Sequence, residues 1–504
     1  MLHSKNKILT IDISSNSVKA GLVSENLILE SMIKQNLTII NENLDGFAKR
    51  FDMKDLWSKI QNNIQELLKT TTIDDMEIIG ISSCAQRMAV VFIDDQGEAI
   101  YGGPNIDVRG IDSAYLIEDK FSEEELFNIT GHSPSILFCL SRLLWFKEEE
   151  EELYKKINKV LMLDDWIVYK LTGEFCSDLS SASESQILDI KKGKWSSEII
   201  EAFDFNPDFF PKFVDSGSVI GNLRSELVKY FGFKQKSIPV IKTGGDTQAT
   251  LLGMGAIEDG NIGISLGTTA PVHLVVNKPI LDPNYNFWTT FHSLKGKWLI
   301  EGNTGNAGII YDWIKDFLLK DMNGDKNVMI EEFLKSQKPG SASTYAYLGP
   351  DIMNIKDQTT LKRGVFVFPP ISIVNEDLPK LENLIKSALE NICFGILENY
   401  RALLNYNNSQ IKVFCAGGMA NSKELLNILS STIKEDINVP FYKDSAFIGC
   451  AMNVLIGLKL YVDYKTIIDE IINFDKFSFD PNISKDYEKM YVEWKNYKKK
   501  IDDL

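Results

Sequence analysis

Four short segments of this 504-residue chain combine residue types that could do chemistry. Gly244-Gly245-Asp246-Thr247-Gln248 ends an apolar run with two glycines and opens the next with a carboxylate. An N-cap aspartate looks the same. As chemistry, the glycines let a ligand approach the backbone, and a helix N-terminus keeps the Asp246 carboxylate ionised. Such a group can accept a hydroxyl proton late in phosphoryl transfer, where a loose transition state asks for little base strength. Asp12-Ile13-Ser14-Ser15-Asn16-Ser17 and Leu266-Gly267-Thr268-Thr269 are tight turns of small hydroxylated residues. Turns of this kind can hold phosphate as an anion nest does, and a plain β-hairpin has the same composition. Phe414-Cys415-Ala416-Gly417-Gly418-Met419-Ala420-Asn421 joins an apolar strand to a helix starting near Ser422. Its glycine pair is flat enough to pass under a purine ring, or is only a connection. No G-x-x-x-x-G-K-[ST] is present, and Gly253-Met254-Gly255 lacks the third glycine of a dinucleotide fingerprint.

Turns like these act only if a scaffold brings strand ends together. Lys7–Ile13 is a β-branched run, and Val18–Val23 and Leu27–Met32 follow as strands. Leu56, Ile60, Ile64, Leu67 and Leu68 have the spacing of an amphipathic helix over Asp55–Lys69. Glu77–Ser82 and Met88–Asp94 are strands again, the alternation of an α/β layer. Residues 121–205 read mostly as helix. Near residue 240 the opening pattern recurs as Ser237–Thr243, a glycine turn, Asn261–Ser265, a hydroxyl-rich turn and Val272–Val276. This weak duplication predicts two α/β domains packed around a cleft, residues 1–245 and 246–504, with a peripheral tail from about residue 474.

Composition excludes several classes. The chain is 44% apolar and 25% charged, a globular mix. With 54 Lys+Arg against 70 Asp+Glu the net charge is −16, which speaks against nucleic acid or anionic lipid as partners. The six cysteines form no C-x-x-C pair and the four histidines do not cluster, so reduced thiols in a cytoplasm are expected. No apolar run approaches the ~20 residues of a membrane span, and Ala446–Leu458 reads as a buried helix.

Taken in order, the segments resemble the FGGY carbohydrate kinases, an actin/hexokinase-like group, from about Ile8 to Leu458. IDISSNSVKAGLV resembles the first phosphate hairpin, SCAQRMAVVFIDDQG the sugar-contact strand, and NIDVRG the family's D-x-R. RLLWFKEEEEELY, LDDWIVYKLTGEFCSDLSSAS, GGDTQATLLGMGAIEDGNIGISLGTTA, EGNTGNAGIIYDWIKD and VFCAGGMANSKELLNILSS continue the match. The resemblance implies two actin-like (ribonuclease H-like) α/β domains facing each other across a cleft. It implies ATP and Mg²⁺ as cofactors, a small sugar as partner and Asp246 as catalytic base. Asp12, with Asp246, would hold magnesium. Ser14, Ser15, Gly267 and Thr268 would face the ATP phosphates, and Gly417, Gly418 and Asn421 the adenosine. Gln86, Arg87, Asp107, Arg109 and Asp246 would meet the sugar, since hydroxyls are read by charged and bidentate partners. A homodimer is compatible with this reading.

The match has departures. Ser14-Ser15 stands where the family has Gly-Thr. Met88 stands where glycerol kinases have Glu, and Gln86-Arg87-Met88-Ala89 replaces the Q-M-H-G of xylulokinases. YLGPDIMNIKDQ occupies the place of a G-E-R segment. PGSASTYAYLGPDIM and LDDWIVYKLTGEF resemble the autoinducer-2 kinase branch, whose substrate is a linear pentose-like molecule. Two alternatives stand beside a kinase: an actin-like ATPase module, and a degenerate kinase that senses a sugar. Arg87, Asp107, Arg109 and Asp246 together argue against the first, and Asp12, Asp246 and Gly267-Thr268-Thr269 against the second.

Overall fold

The computed structural model describes residues 5–42, 46–70, 77–336, 338–354, 363–371, 378–442 and 444–502. Residues 355–358 of the segment YLGPDIMNIKDQ lie outside that set. The chain forms two compact units. The first comprises Met1–Ile257, Asn277–Leu299 and Asp444–Ile472; the second comprises Glu258–Val276, Ile300–Lys443 and Asn473–Leu504.

In the first unit six strands lie in the order Val219–Asn222, Pro239–Gly245, Glu77–Ala85, Asn6–Ile13, Ser17–Ser24 and Leu29–Asn36. Asn6–Ile13 and Pro239–Gly245 each run parallel to Glu77–Ala85, and the other pairings are antiparallel. Central strands are covered on both faces, so they read as apolar runs; Asn6–Ile13 is buried from Lys7 onward. Leu29–Asn36, at the edge, alternates half-buried and exposed residues. The helix Met53–Thr70 lays Leu56, Ile60, Ile64, Leu67 and Leu68 on the sheet, and Asn63 Nδ2 donates to Val18 O at 2.9 Å.

Helices Asp246–Gly253 and Ser445–Gly457 meet through glycine. A Cβ on Gly253 would sit 1.9 Å from Ser445 O, and one on Gly449 2.0 Å from Ala249 O. Contact this close between two backbones joins residues 444–472 to the first unit. The units are therefore discontinuous in sequence, and the division at 245/246 expected from the sequence does not coincide with them. Asp246 belongs to the first unit.

The second unit repeats the plan. Its sheet contains, side by side, Pro271–Val276, Asn261–Ser265, Lys412–Ala416, Ile437–Pro440 and Phe474–Phe477. In each unit an antiparallel hairpin has its first strand parallel to a later one: Asn6–Ile13 with Glu77–Ala85, and Asn261–Ser265 with Lys412–Ala416. The tail is less peripheral than the sequence suggests. Phe474–Phe477 pairs with Ile437–Pro440, and the helix Pro481–Asp502 buries Tyr487, Met490, Tyr491 and Trp494. Trp494 is 1% exposed and stacks on Tyr347 at 5.6 Å between ring centres. Its Lys- and Asp-rich composition reflects one exposed face of an amphipathic helix.

Candidate active site

Three parallel strands of the first unit end together. Asp12 pairs in register with Cys84, and Gly244 pairs with Cys84 from the other side. Asp12, Arg87 and Asp246 thus emerge at the carboxyl ends of adjacent strands, where open α/β sheets bind ligands. Gly244 has φ of 117°, and a Cβ there would lie 2.3 Å from Ser180 Oγ and 2.8 Å from Asp178 Oδ2. Only glycine lets the strand turn into the helix at this point.

Asp246 opens that helix and is half-buried. Burial raises its carboxyl most and the Asp12 carboxylate raises it further. Arg87 and the Thr247 N–H, 2.7 Å from Oδ1, pull the other way and do not cancel the rise. The result is pushed up to about 7. Burial and a like charge thus work against the ionising effect of the helix N-terminus.

Asp12 is buried, and Lys19 Nζ donates to its Oδ2 at 2.9 Å. Lys19 also lies 3.6 Å from Asp444. Burial works to lower its ammonium, yet Asp12 and Asp444 hold it above the usual lysine range. Sequence reasoning missed Lys19. The hairpin register, which sets Asp12 opposite Lys19, is the signal that could have found it. Asp12 and Asp246 are hard oxygen donors, and the Asp12 carboxylate is close enough to raise that of Asp246, so a magnesium ion fits this pair chemically.

Arg87 lies beside Asp246. A Cβ on Gly245 would stand 3.3 Å from its Cγ, and its Nη1 donates to Glu184 Oε1 at 3.1 Å. Glu184 was not singled out from the sequence. Gln248 was quoted only as part of a motif; it is fully buried, with Nε2 3.3 Å from Thr290 Oγ1. Its Oε1, next to Gly245, has no hydrogen-bond donor among the described residues. A buried acceptor left in this state invites a hydroxyl.

Other expected sugar contacts are spent elsewhere. Asp107 Oδ1 accepts from Lys49 N at 2.9 Å, and its Oδ2 accepts from Arg109 Nε at 2.7 Å and from the Tyr101 hydroxyl. Arg109 Nη2 donates to Glu42 at 2.6 Å and to Lys49 O at 3.0 Å, with the guanidinium over Tyr101 and Trp145. The polar groups of this pair are bonded to one another and to neighbouring protein groups. Gln86 is likewise occupied, donating to Ser14 O at 3.2 Å and accepting from Asn105 N at 3.1 Å. It ties the serine turn to the segment before Asp107. In that turn Ser14 N donates to Ser17 O at 3.0 Å, and Ser15 Oγ accepts from Asn105 at 3.1 Å. Arg142 bonds the carbonyls of Met88, Gly103, Pro104, Leu137 and Phe138. It thereby holds Met88, whose φ of 64° is strained for a bulky residue.

A second buried cluster gathers Asp164, Asp165 and Asp178 around Lys242. Burial pushes Asp165 up to about 8 against the pull of Lys242. The lysine is the cation of this group, which braces the strand leading to Asp246.

In the second unit Gly267 and Thr268 follow Asn261–Ser265, and Gly417 and Gly418 follow its parallel neighbour Lys412–Ala416. Gly417 has φ of 114°, and a Cβ there would meet Leu266 O at 2.4 Å. The two turns therefore stack backbone on backbone. They border a cavity of about 600 Å³ lined by Gly267, Thr268, Tyr311, Glu331, Gly418 and Asn421. That volume holds a nucleoside. Asn421 Nδ2 donates to Gly418 O at 2.9 Å, and Ser422 caps the helix Lys423–Ile433.

The two α/β units share one plan, with turns of small residues at their strand ends. Residues 7–253 match the N-terminal domain of the FGGY family of carbohydrate kinases, and residues 262–457 match its C-terminal domain. The chain belongs to that family. It is 30% identical over 397 residues to YoaC of Bacillus subtilis (strain 168), covering 78% of each protein. Against the autoinducer-2 kinase of Salmonella paratyphi A it is 22% identical over 484 residues, covering 93% of this chain and 89% of the relative. A xylulose kinase from Lactobacillus acidophilus has a similar fold, with TM-score 0.86, 18% identity and 98% of each chain covered. All six cysteines are free and buried, and no helix among the described residues is long and apolar enough to cross a membrane.

Proposed function

We propose that this carbohydrate kinase transfers the γ-phosphoryl group of ATP to one hydroxyl of a small ketose, polyol or open-chain sugar, with Asp246 as the base. The convergence of Asp12, Arg87 and Asp246 at three strand ends is the observation that carries the reading. The acceptor hydroxyl donates to Asp246 and takes a hydrogen bond from Arg87, while a second hydroxyl of the sugar donates to Gln248 Oε1. Its oxygen forms a bond to the γ-phosphorus while the bond to the bridging oxygen of ADP breaks, and its proton passes to an Asp246 oxygen. A carboxylate poised near neutrality is matched to that transfer. Asp12 and Asp246 would hold a magnesium ion, which would supply charge neutralisation at the phosphates. The turns at Ser14-Ser15 and Gly267-Thr268 offer N–H groups and hydroxyls to the phosphates. Gly417, Gly418 and Asn421 bound the adenosine pocket.

The likeness to an autoinducer-2 kinase favours an acceptor resembling autoinducer-2 among these. ATP chemistry and six reduced thiols fit a cytoplasmic enzyme. The decisive experiment is acceptor-dependent ADP release across ketoses, polyols and open-chain sugars, run beside Asp246→Asn. ADP release that no acceptor stimulates, in protein that binds ATP, overturns the reading.

A further inference from the structure

Arg87 reaches the acceptor region with a partner already attached. Its Nη1 is bound to Glu184 Oε1, and Glu184 has no exposed side-chain surface while Arg87 keeps 12% of its own. Glu184 follows the short helix Leu179–Ser183, whose four residues from Ser180 onward are all buried. A carboxylate so enclosed is tolerated with a cation beside it, so Glu184 is committed to Arg87. Its Oε2 lies 3.9 Å from His132 Nε2, and His132 Nδ1 lies 3.1 Å from Thr130 O. Two neighbouring lysines are engaged with other carboxylates: Lys19 is divided between Asp12 and Asp444, and Lys242 among three aspartates.

We propose that Glu184 determines the class of acceptor: by neutralising Arg87 it makes the site select uncharged polyhydroxy compounds and exclude sugar acids. The proposal rests on the kinase reading above. A hydroxyl needs only one N–H from Arg87 and gives its own proton to Asp246 or Gln248, so it tolerates the Glu184 contact. A carboxylate needs the guanidinium as a counter-charge and meets Glu184 and Asp246 there instead. Discrimination then comes from repulsion of the wrong ligand as much as from contacts to the right one.

The test compares wild type with Glu184→Gln and Glu184→Asp, using pentuloses, pentitols and open-chain sugars against gluconate and xylonate. Wild type is expected to favour its best neutral acceptor over its best acid by about 100-fold or more in kcat/KM. Glu184→Gln should narrow that ratio by about 10-fold or more, through gain on the acids, and Glu184→Asp should restore it. A wild type that prefers acids, or a folded Gln variant with an unchanged ratio, overturns the proposal. If the Gln variant does not fold, binding to wild type decides: gluconate held as tightly as the best neutral acceptor overturns it, and a gap of about 100-fold supports it. Turnover confined to acids defeats this inference alone. Turnover with no acceptor defeats the kinase reading, and this inference with it.

Discussion

Lys19 and Asp12 face each other across one hairpin, with Nζ 2.9 Å from Oδ2, and the lysine thereby occupies the carboxylate that a divalent cation would use. Lys19→Met should leave Asp12 buried without a counter-charge and lower stability by about 2–4 kcal/mol in metal-free buffer. Added Mg²⁺ should then stabilise the variant more than it stabilises wild type, since the competing ammonium is gone. Urea denaturation with and without Mg²⁺ measures both effects. Equal stabilisation of the two proteins would separate Asp12 from the metal.

Replacing Asp246 by Asn keeps the shape and removes the carboxylate proposed as the base. Sugar and ATP binding should stay within a few fold, while turnover falls by ~10²–10⁴. Single-turnover kinetics at saturating ligand distinguishes this from a mere cap, because Asn caps a helix as well as Asp.

Activity should depend on the ionisation of that same carboxyl. With Asp246 pushed up to about 7, kcat/KM for the acceptor should climb with pH and level off above that value. Rising Mg²⁺ should move the limb to lower pH, since a cation favours the carboxylate. A flat profile from pH 5.5 to 8 is incompatible with Asp246 as the base.

The stability of the protein carries the opposite sign. The folded state holds Asp246 above its unfolded value, so its favourable contribution is complete below the unfolded pKa and is lost as pH rises through about 7. Relative to Asp246→Asn, wild type should therefore lose about 2–3 kcal/mol between pH 5 and pH 8. Parallel denaturant titrations at the two pH values read the difference directly.

Arg87 and Asp107 should separate in their effects. Arg87→Ala should raise KM for the acceptor far more than KM for ATP, as it removes charged hydrogen bonds beside Asp246. Asp107→Asn breaks a buried pair with Arg109 and should cost about 3–5 kcal/mol of stability with little change in acceptor KM. An acceptor-specific KM effect at Asp107 would restore it to the sugar.

Much of the molecule is legible along the chain, because local pattern writes backbone geometry. Apolar runs predict the central strands, Leu56 to Leu68 predict the first long helix, and the hydroxyl-rich turns predict the two hairpins. The order of those motifs also determines the family, and Gly244-Gly245-Asp246 marks a sharp strand-to-helix turn. Tertiary structure alone decided how charge is shared. Glu184 reaches Arg87 across 97 residues of sequence, Asp107 turns to Arg109 and Tyr101, and residues 444–472 return to the first unit to set Asp444 near Lys19. Whether Asp246 holds its proton was decided there too. Burial and proximity to Asp12 set that balance, and both arise from contacts distant in sequence, which residue spacing does not encode.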